Sequence, residues 1–468
     1  MVLKLYNTLT RATEEVTPLN GKEIRMYTCG PTVYDFVHIG NFRTFVVQDL
    51  LRRYIKYTGL PLFHVMNITD VDDKIIHNAM ESGLAIEDYT ARYTEAFLED
   101  METLCLEKPE VMPRATEHID QMVDLILKLR EMGHTYESEG SIYYRIRSFP
   151  DYGKFSRLDL SEVPVGGRID ADEYAKENPR DFVLWKTRKE GEKYWDTPFG
   201  PGRPGWHIEC SAMSMKYLGE SFDLHIGGVD LIFPHHENEI AQSEATTGKP
   251  FVRHWVHSEF LLVNGEKMAK SKKNQYTLRD LLVRGFNPMA VRYLLQSVHH
   301  RKQLNFTLEG VEQSQSALTR VNEFLLRLRE VPDDFPGDTR LNRRVVRARS
   351  DFVSALDDDL NTSGALAALF QLIKEVNVLL ERKQVGSDNR DHILGFFRDA
   401  NRVLAVFDVE ERGAEDDQVM VLIREREQAR FQRDYQQADK IRADLLRQGV
   451  ELEDTKEGTR WKKRSVEN

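Results

Sequence analysis

The chain has 468 residues, enough for roughly two to four domains and a large hydrophobic core. Hydrophobic residues make up 41% of it and charged residues 30%, a balance typical of soluble globular proteins. We expect no membrane span, because no apolar run approaches about 18 residues. Its three cysteines are too few for a disulfide framework and indicate a reducing compartment, the cytoplasm. The first residues lack a basic segment followed by an apolar one, so no secretory signal is expected.

The formal net charge of −11 argues mildly against a nucleic-acid partner. Salt screens charges beyond about 8 Å, however, so a local basic patch rather than the total charge decides contact with phosphates. Two runs of charge are candidates, although an isolated run is more often a solvated helix face or a frayed tail. The first run comprises Arg340, Arg343, Arg344, Arg347 and Arg349, and the second is Arg460-Trp461-Lys462-Lys463-Arg464.

The first regular elements are predicted to form a βαβ unit. Alternating residues over 24–28 indicate a strand that ends at the turn residues Cys29-Gly30-Pro31. Apolar residues from Phe45 to Tyr54 recur at helical spacing, and the apolar run 62–70 is typical of a strand buried on both faces. Two such strands joined by a helix predict a parallel sheet. The acidic residues of 70–74 are expected to cap the next helix.

The segment His38-Ile39-Gly40-Asn41 lies where the first helix is predicted to begin. The first turn of a helix has unpaired N–H groups and a partial positive charge, and Gly40 lets a ligand come close to the backbone. The position therefore favours a bound anion. The alternative is a histidine that only caps the helix.

The α/β pattern stops at about residue 113 and resumes at about residue 205. A Gly-, Pro- and charge-rich stretch ends this interval, which predicts an insertion into the sheet domain. From 205 the chain is predicted to form a helix, then a buried strand at 222–226, then a loop that leads into another helix. Beyond about residue 311 the pattern is mostly helical, with polar breaks at 331–338 and 410–417.

Four residues could hold a metal ion. His235 and Glu239 are four apart, which on a helix places both side chains on one face, about 6 Å apart at Cβ. Cys29 and Cys210 lie beside predicted strands, at the edge where loops of an open parallel sheet converge. Two thiolates, an imidazole and a carboxylate form a donor set for tetrahedral Zn²⁺. The alternative is two buried apolar cysteines and a surface His/Glu pair.

Several motifs resemble those of a known enzyme family. The segment 38–41 resembles the His-Ile-Gly-His signature of class I aminoacyl-tRNA synthetases, with Asn41 in place of the final histidine. An asparagine cannot carry charge or transfer a proton. Over nearly the whole chain, from about Leu5 to Lys463, the order of motifs is similar to that of cysteinyl-tRNA synthetases. These motifs are Cys29-Gly-Pro-Thr32, Trp206-His-Ile-Glu-Cys210, Gly227-Gly-Val-Asp230, Phe233-Pro-His-His-Glu-Asn-Glu239 and Lys267-Met-Ala-Lys-Ser271.

The resemblance implies a role for each matching residue. One Zn²⁺ per chain would be held by Cys29, Cys210, His235 and Glu239. The amino-acid pocket would be lined by Thr32, Trp206 and His225. ATP, with Mg²⁺, would meet His38, Gly40, Asn41, Asp230, Lys267 and Lys270, of which His38, Asn41, Lys267 and Lys270 would be catalytic. The family's Lys-Met-Ser-Lys-Ser motif has Ala269 at its third position here.

The resemblance also implies an architecture, an α/β fold with a Rossmann-like parallel-sheet catalytic domain in two halves, 1–112 and 205–260. A connective insertion would occupy 113–204, and 261–310 would carry the mobile lysine loop and a stem-contact region. Residues 311–410 would form a helical tRNA-binding domain, and 411–468 a small mixed anticodon-binding domain. We expect a monomer with no membrane contact.

The implied reaction is activation of L-cysteine by ATP and its transfer to tRNA(Cys). A zinc ion that accepts a thiolate would discriminate cysteine from serine without an editing domain, and none is evident. One alternative is an enzyme that joins cysteine to a small amine, as mycothiol cysteine ligases do. Another is a non-catalytic RNA- or nucleotide-binding regulator, for which metal and phosphate residues should be lost.

Overall fold

The computed structural model describes residues 2–158, 176, 178–268, 272, 274–333, 337–409, 414–431, 434–455 and 458–463. Its helices are α1 (Ile39–Tyr57), α2 (Asp73–Ser82), α3 (Ile86–Thr103), α4 (Ile119–Glu131), α5 (Trp206–Leu218), α6 (Glu237–Thr247), α7 (Leu278–Val283), α8 (Pro288–Ser297), α9 (Leu308–Arg329), α10 (Thr339–Asp357), α11 (Thr362–Glu381), α12 (Ser387–Leu404), α13 (Ala414–Phe431) and α14 (Tyr435–Arg447).

Its strands are mostly short. They are β1 (Lys4–Asn7), β2 (Ala12–Glu15), β3 (Ile24–Thr28), β4 (Leu62–Met66), β5 (Thr135–Ser138), β6 (Ser141–Tyr144), β7 (Phe182–Thr187), β8 (Gly202–Pro204), β9 (Phe222–Gly228), β10 (Val252–Ser258), β11 (Leu261–Val263), β12 (Glu266–Lys267), β13 (Leu304–Phe306), β14 (Val450–Thr455) and β15 (Gly458–Lys463).

Four strands form a central parallel sheet in the order β10-β9-β3-β4. The chain runs outward from β3 to β4 through α1, and outward in the other direction from β9 to β10 through α6. The strand order therefore reverses between β3 and β9, where Tyr27 lies opposite His225 and Thr28 opposite Ile226. Loops that leave such neighbouring strands diverge and open a crevice, which is where ligands bind in open α/β sheets.

The predicted βαβ unit is confirmed. Strand β3 ends just before Cys29, α1 begins at Ile39, and β4 pairs with β3 in parallel. The cap predicted within 70–74 is formed by Asp72, whose carboxylate accepts a hydrogen bond from the Lys74 N–H at 2.9 Å. The neighbouring Asp73 instead forms ion pairs with Lys186 and Arg203.

The predicted insertion lies between β4 and β9. It contains α4 and a separate antiparallel sheet in the order β5-β6-β7-β8. The two buried cations that hold Asp73, Lys186 on β7 and Arg203 on β8, fasten this sheet to the first turn of α2. The segment boundaries given above stay predictions.

The helices α9 to α12 form the predicted helical region, and the break expected at 331–338 falls between α9 and α10. Within the described residues, α11 is the one helix long and apolar enough to cross a membrane. Charged Lys374 and Glu375 interrupt its apolar run, so the sequence did not indicate it. A single such helix is a weak sign of a membrane span, and the buried side of α11, with Leu366, Leu369 and Val376, belongs to the hydrophobic core.

The first basic run lies on α10 and is largely neutralised. Arg344 pairs with Glu375 at 3.2 Å, and Arg349 pairs with Asp399. Weaker pairs join Arg340 to Asp338 at 3.7 Å and Arg347 to Asp351 at 3.9 Å. Ion pairs therefore compensate most of the positive charge of this run.

The last described elements, α13, α14, β14 and β15, surround a small core of their own. This core contains Val419, Ile423, Ile441 and Leu445, with Trp461 packed against it. Helix α13 begins at Ala414, so the break predicted at 410–417 is shorter than expected. Arg464 of the second basic run lies outside the described residues.

Candidate active site

The crevice between β3 and β9 contains a cavity of about 470 Å³. Cys29 follows β3 directly, and its N–H donates to the Ile226 carbonyl of β9 at 3.4 Å. Gly227 and Gly228 end β9 and line the same cavity. The structure places most of the predicted site residues in its wall, namely Cys29, Thr32, His38, Gly40, Asn41, Trp206, Cys210, Asp230, His235 and Lys267.

The four predicted metal ligands meet beside this cavity, which Cys29, Cys210 and His235 line, whereas Glu239 is fully buried and is not among the lining residues. One ligand atom from each of Cys29, Cys210, His235 and Glu239 lies within 4.8 Å of all the others. They come from the loop after β3, from α5, from the irregular helical turn 232–236 that precedes α6, and from α6 itself. Nε2 of His235 lies 3.0 Å from Oε1 of Glu239, as expected for residues four apart on one helix face. The convergence of these distant segments follows from the topology of the sheet.

The electrostatics of the four side chains suit a cation. A hydrogen bond between the two thiols lowers the pKa of Cys210 to about 6 and raises the pKa of Cys29. Burial opposes the charge on Glu239, but His225 and His235 lower the pKa of Glu239 to about 2. Burial likewise opposes the charge on His235, but Glu239 and Cys210 raise the pKa of His235 to about 10. These shifts favour negative charge on Cys210 and Glu239 and positive charge on His235, and His235 must release its proton before it can bind a metal ion.

The donor set fits a borderline-soft divalent cation. Two sulfurs, one imidazole nitrogen and one carboxylate oxygen match the ligands that structural and catalytic zinc sites use. Oε1 of Glu239 is buried and has no well-aligned hydrogen-bond donor among the described residues, although His235 is 3.0 Å away. A buried carboxylate oxygen is costly unless it faces a hydrogen-bond donor or a cation, a role that protonated His235 fills here and that a metal ion would fill once His235 loses its proton.

Three further histidines, which the sequence analysis did not identify as candidates, lie next to these ligands. His236 lies 3.6 Å from the Cys29 sulfur through Nε2 and 2.8 Å from His257 through Nδ1. His207 lies 2.9 Å from His235, between their Nδ1 atoms. Burial lowers the pKa of His207, His236 and His257, so these three rings are neutral. The adjacent pair His235-His236 was the available sequence signal, but it does not show that the irregular helical turn 232–236 buries both imidazoles.

His225 lies behind the cavity wall rather than in it, in contrast to the expectation that it lines the amino-acid pocket. Its side chain is fully buried and donates from Nε2 to Oε2 of Glu239 at 2.9 Å. The physical reason is its position on β9, where it faces the layer of α6 and stacks on Trp255. An alternative set of candidate ligands, Cys29, His225, His236 and Glu239, also lies within 4.8 Å.

The two other predicted pocket residues do line the cavity. Trp206 stacks on His235, with ring centroids 4.3 Å apart and an angle of 29° between the planes. Thr32 lies in the loop after β3, which is tied to the loop after β4 because the Val33 N–H donates to the Thr69 carbonyl at 3.1 Å. Both residues therefore border the space next to the candidate metal ligands.

The cavity also contains the start of α1. His38 is the N-cap of this helix and its Nδ1 accepts a hydrogen bond from the Asn41 N–H at 3.2 Å, so the capping alternative is realised. His38 still faces the cavity, and Asn41 is exposed. A Cβ at Gly40 would lie 2.3 Å from Cε of Met268 and 3.1 Å from the His38 ring, so the glycine lets another group lie directly against the start of α1, and here that group is Met268.

Asp230 and Lys267 also line the cavity. A Cβ at Gly228 would lie 2.4 Å from Oδ1 of Asp230, so the glycine allows the carboxylate to lie against the backbone. Lys267 is exposed at the end of β12, and its Nζ lies 5.2 Å from the centroid of the Phe260 ring. Lys270 lies outside the described residues. The arrangement can bind a polyanion at a helix N-terminus and a soft ligand at the thiol group, within one cavity.

Comparison with known proteins agrees with this arrangement. The family of tRNA synthetases class I (C) catalytic domains matches residues 15–316, and the DALR domain family matches residues 351–408. A solved structure of Mycobacterium tuberculosis methionyl-tRNA synthetase in complex with methionyl-adenylate aligns with a TM-score of 0.62 and 14% identity. The alignment covers 82% of this chain and 92% of that one, which shows a shared fold.

Full-length relatives are much closer in sequence. The cysteine–tRNA ligase of Solibacter usitatus (strain Ellin6076) is 51% identical over 466 residues, 99% of this chain and 100% of the relative. That of Brachyspira hyodysenteriae (strain ATCC 49526 / WA1) is 49% identical, over 98% of this chain and 99% of the relative. That of Thermococcus onnurineus (strain NA1) is 44% identical over 100% of both chains. The chain therefore belongs to the cysteine–tRNA ligase family of class I aminoacyl-tRNA synthetases.

Proposed function

We propose that this protein activates L-cysteine with ATP and then transfers the cysteinyl group to the 3′ end of tRNA(Cys). The observation that carries the proposal is that Cys29, Cys210 and His235, which cluster with Glu239, line the same cavity as the start of α1. A thiol-binding group and a polyanion-binding helix terminus are the two parts that formation of cysteinyl-adenylate requires. We propose a cytoplasmic monomer.

Zn²⁺ would be held by the two thiolates, the imidazole of His235 and the carboxylate of Glu239. When bound, it would supply a soft acceptor for the substrate's thiolate, to which the hydroxyl of serine is a far poorer match. Trp206 and Thr32 would enclose the rest of the amino acid beside these ligands. Such a contact discriminates about 10⁴-fold or more, whereas an apolar pocket separates near-isosteres by only about a hundredfold.

The residues at the start of α1 would position ATP together with Mg²⁺. Gly40 lets the nucleotide approach the helix terminus, His38 and Asn41 border it, and Asp230 would bind the ribose. The cysteine carboxylate attacks the α-phosphorus, the bond to the bridging oxygen breaks, and pyrophosphate leaves. Lys267, with Lys270, would neutralise the charge that develops on the phosphate oxygens and on pyrophosphate.

The alternatives have less support. Joining of cysteine to a small amine would not need the helical region, which carries a DALR domain match, or the small C-terminal unit. A non-catalytic regulator should have lost metal or phosphate residues, yet these are present except for Asn41 in place of histidine. An acceptor the size of tRNA accounts for the length of the chain beyond the cavity.

Aminoacylation of total tRNA with labelled cysteine, beside labelled serine, tests the proposal. We expect cysteine but not serine to be attached, and a zinc chelator to abolish the reaction. Cys210→Ser should lower cysteine-dependent ATP–pyrophosphate exchange by orders of magnitude, whereas Cys105→Ser, at an exposed cysteine, is the matched control. Unchanged exchange in Cys210→Ser would reject the zinc assignment. Attachment of cysteine to a small amine, but not to tRNA, would contradict the proposed reaction.

A further inference from the structure

Aromatic and cationic side chains cluster along one wall of the cavity and extend beyond it. Tyr34 and Phe36 lie in the segment between the thiol group and the start of α1, and both line the cavity while remaining half-buried. Lys74, at the start of α2, lines the same cavity and is exposed. Arg92, exposed on α3, continues the cluster onto the open surface. We name Tyr34, Phe36, Lys74 and Arg92 the cation–aromatic rim.

Cations and rings alternate within the rim. Nζ of Lys74 lies 5.0 Å from the centroid of the Tyr34 ring. The guanidinium carbon of Arg92 lies 5.9 Å from the Phe36 centroid and 5.5 Å from that of Tyr93. Phe36 meets the edge of Tyr93 at 5.2 Å. The roles proposed above for the cavity, at the thiol group and at the start of α1, do not use these side chains.

The rim carries two positive charges, and the carboxylate of Asp35, between Tyr34 and Phe36, belongs to the same cavity wall. Within the described part of the chain, neither Lys74 nor Arg92 has a carboxylate at ion-pair distance, in contrast to the neighbouring Arg279, which pairs with Glu99 and Asp100. The acidic residue next to Lys74 is Asp73, which is engaged by two buried cations of the insertion. In a chain of net charge −11, two uncompensated cations beside a cavity favour an anionic partner.

The rim is held in place before any ligand arrives. The Tyr89 hydroxyl donates to the Tyr34 carbonyl at 2.7 Å, and the Asn78 amide donates to the same oxygen at 3.4 Å. These bonds fasten the aromatic segment to α2 and α3. A prearranged surface of this kind loses little conformational entropy on binding.

We propose that the cation–aromatic rim docks the single-stranded 3′ end of tRNA. Bases stack on Tyr34 and Phe36, while Lys74 and Arg92 meet the phosphates of the same strand. Stacking on aromatic side chains along a basic groove is the general way in which proteins hold unpaired nucleotides. The rim leads from the open surface of α3 to the cavity, which is the path that the terminal nucleotide must follow. This inference rests on the proposed function and specifies a surface for its acceptor.

Binding of intact tRNA(Cys), and of the same tRNA without its single-stranded 3′ nucleotides, tests the rim. Phe36→Leu keeps the apolar contact with Tyr93 but removes the stacking face, and should weaken binding of intact tRNA about tenfold. Arg92→Ala should weaken it similarly and reduce the slope of log K against log salt by about 0.7, the value for one phosphate of a single strand. Phe36→Trp should restore affinity. Binding of the shortened tRNA should be the same in all variants.

Lys128→Ala, at an exposed lysine on α4, is the matched control for removal of a charge. Equal weakening of intact and shortened tRNA, or wild-type affinity in both rim variants, would overturn the proposal. A parallel loss of cysteine-dependent ATP–pyrophosphate exchange, which needs no tRNA, would assign the rim to the nucleotide or amino-acid site and also overturn it. A wild-type protein that charges no tRNA would instead refute the proposed function itself.

Discussion

His225 donates a hydrogen bond from Nε2 to Oε2 of Glu239 over 2.9 Å, and neither side chain is exposed to solvent. Trp255 stacks on the imidazole with ring centroids 4.6 Å apart, and Tyr27 meets its edge at 5.1 Å. These contacts fix the ring, and the ring in turn fixes the carboxylate with Oε1 toward His235. His225 is therefore a positioning residue for a candidate metal ligand.

We expect His225→Leu to weaken Zn²⁺ binding by about 10- to 100-fold, the usual effect of losing a partner of a metal ligand. His225→Gln, whose amide can still donate to Glu239, should lose less. Competition with a chromogenic chelator measures the affinity. Cysteine-dependent ATP–pyrophosphate exchange should recover at saturating zinc, which would separate positioning from catalysis. Equal zinc affinity in the wild type and in His225→Leu would contradict the role.

Lys267 and Lys272 allow a matched test of the nucleotide site. Lys267 lines the cavity, whereas Lys272 is an exposed lysine paired with Glu266 at 2.8 Å. Loss of one group that stabilises transition-state charge typically lowers kcat by about 10²- to 10³-fold. We expect this fall in exchange for Lys267→Ala and little change for Lys272→Ala. Similar rates for the two variants would refute the phosphate role of Lys267.

Local patterns predicted much of the fold because the elements that form the site have strong periodicity. The strand before Cys29, the helix after Gly40 and the buried strand at 222–226 each appear where apolar spacing indicated. The βαβ connection predicted that the strands pair in parallel. Because loops at one edge of a parallel sheet converge, it also predicted that residues 29 and 210 meet there. The metal candidates were predictable because sheet topology, rather than side-chain detail, brings them together.

Features that depend on contacts between distant segments were not predictable in this way. Nothing local shows that His257 on β10 joins His236, or that Lys186 and Arg203 reach Asp73. His225 was expected in the pocket because the family resemblance implies it, and strand periodicity alone leaves open which layer packs on each face. Only the register of β9 against β3 and β10 places its ring behind Glu239. Such contacts require the three-dimensional arrangement of at least three elements.

Asp100 makes stability depend on pH. It is buried, and burial raises its pKa to about 6 in spite of the nearby Arg279. The folded state therefore prefers the protonated form, and this contribution to stability is complete below about pH 3.9 and lost as the pH rises through 6. Asp100→Asn mimics the protonated form and should raise Tm by roughly 2–4 °C at pH 7.5. Differential scanning fluorimetry should show no such gain near pH 4, and Glu95→Gln, at an exposed carboxylate of the same helix, is the control.

The small C-terminal unit should serve tRNA rather than cysteine activation. Its residues pack around a core separate from the main one, and every described residue placed at the metal and nucleotide sites precedes residue 270. We expect removal of residues 410–468 to lower kcat/KM for tRNA about tenfold or more, because contacts with phosphates are lost. Cysteine-dependent ATP–pyrophosphate exchange should be nearly unchanged in the same shortened protein. An equal loss of both activities would show that this unit supports the catalytic domain instead of binding the acceptor.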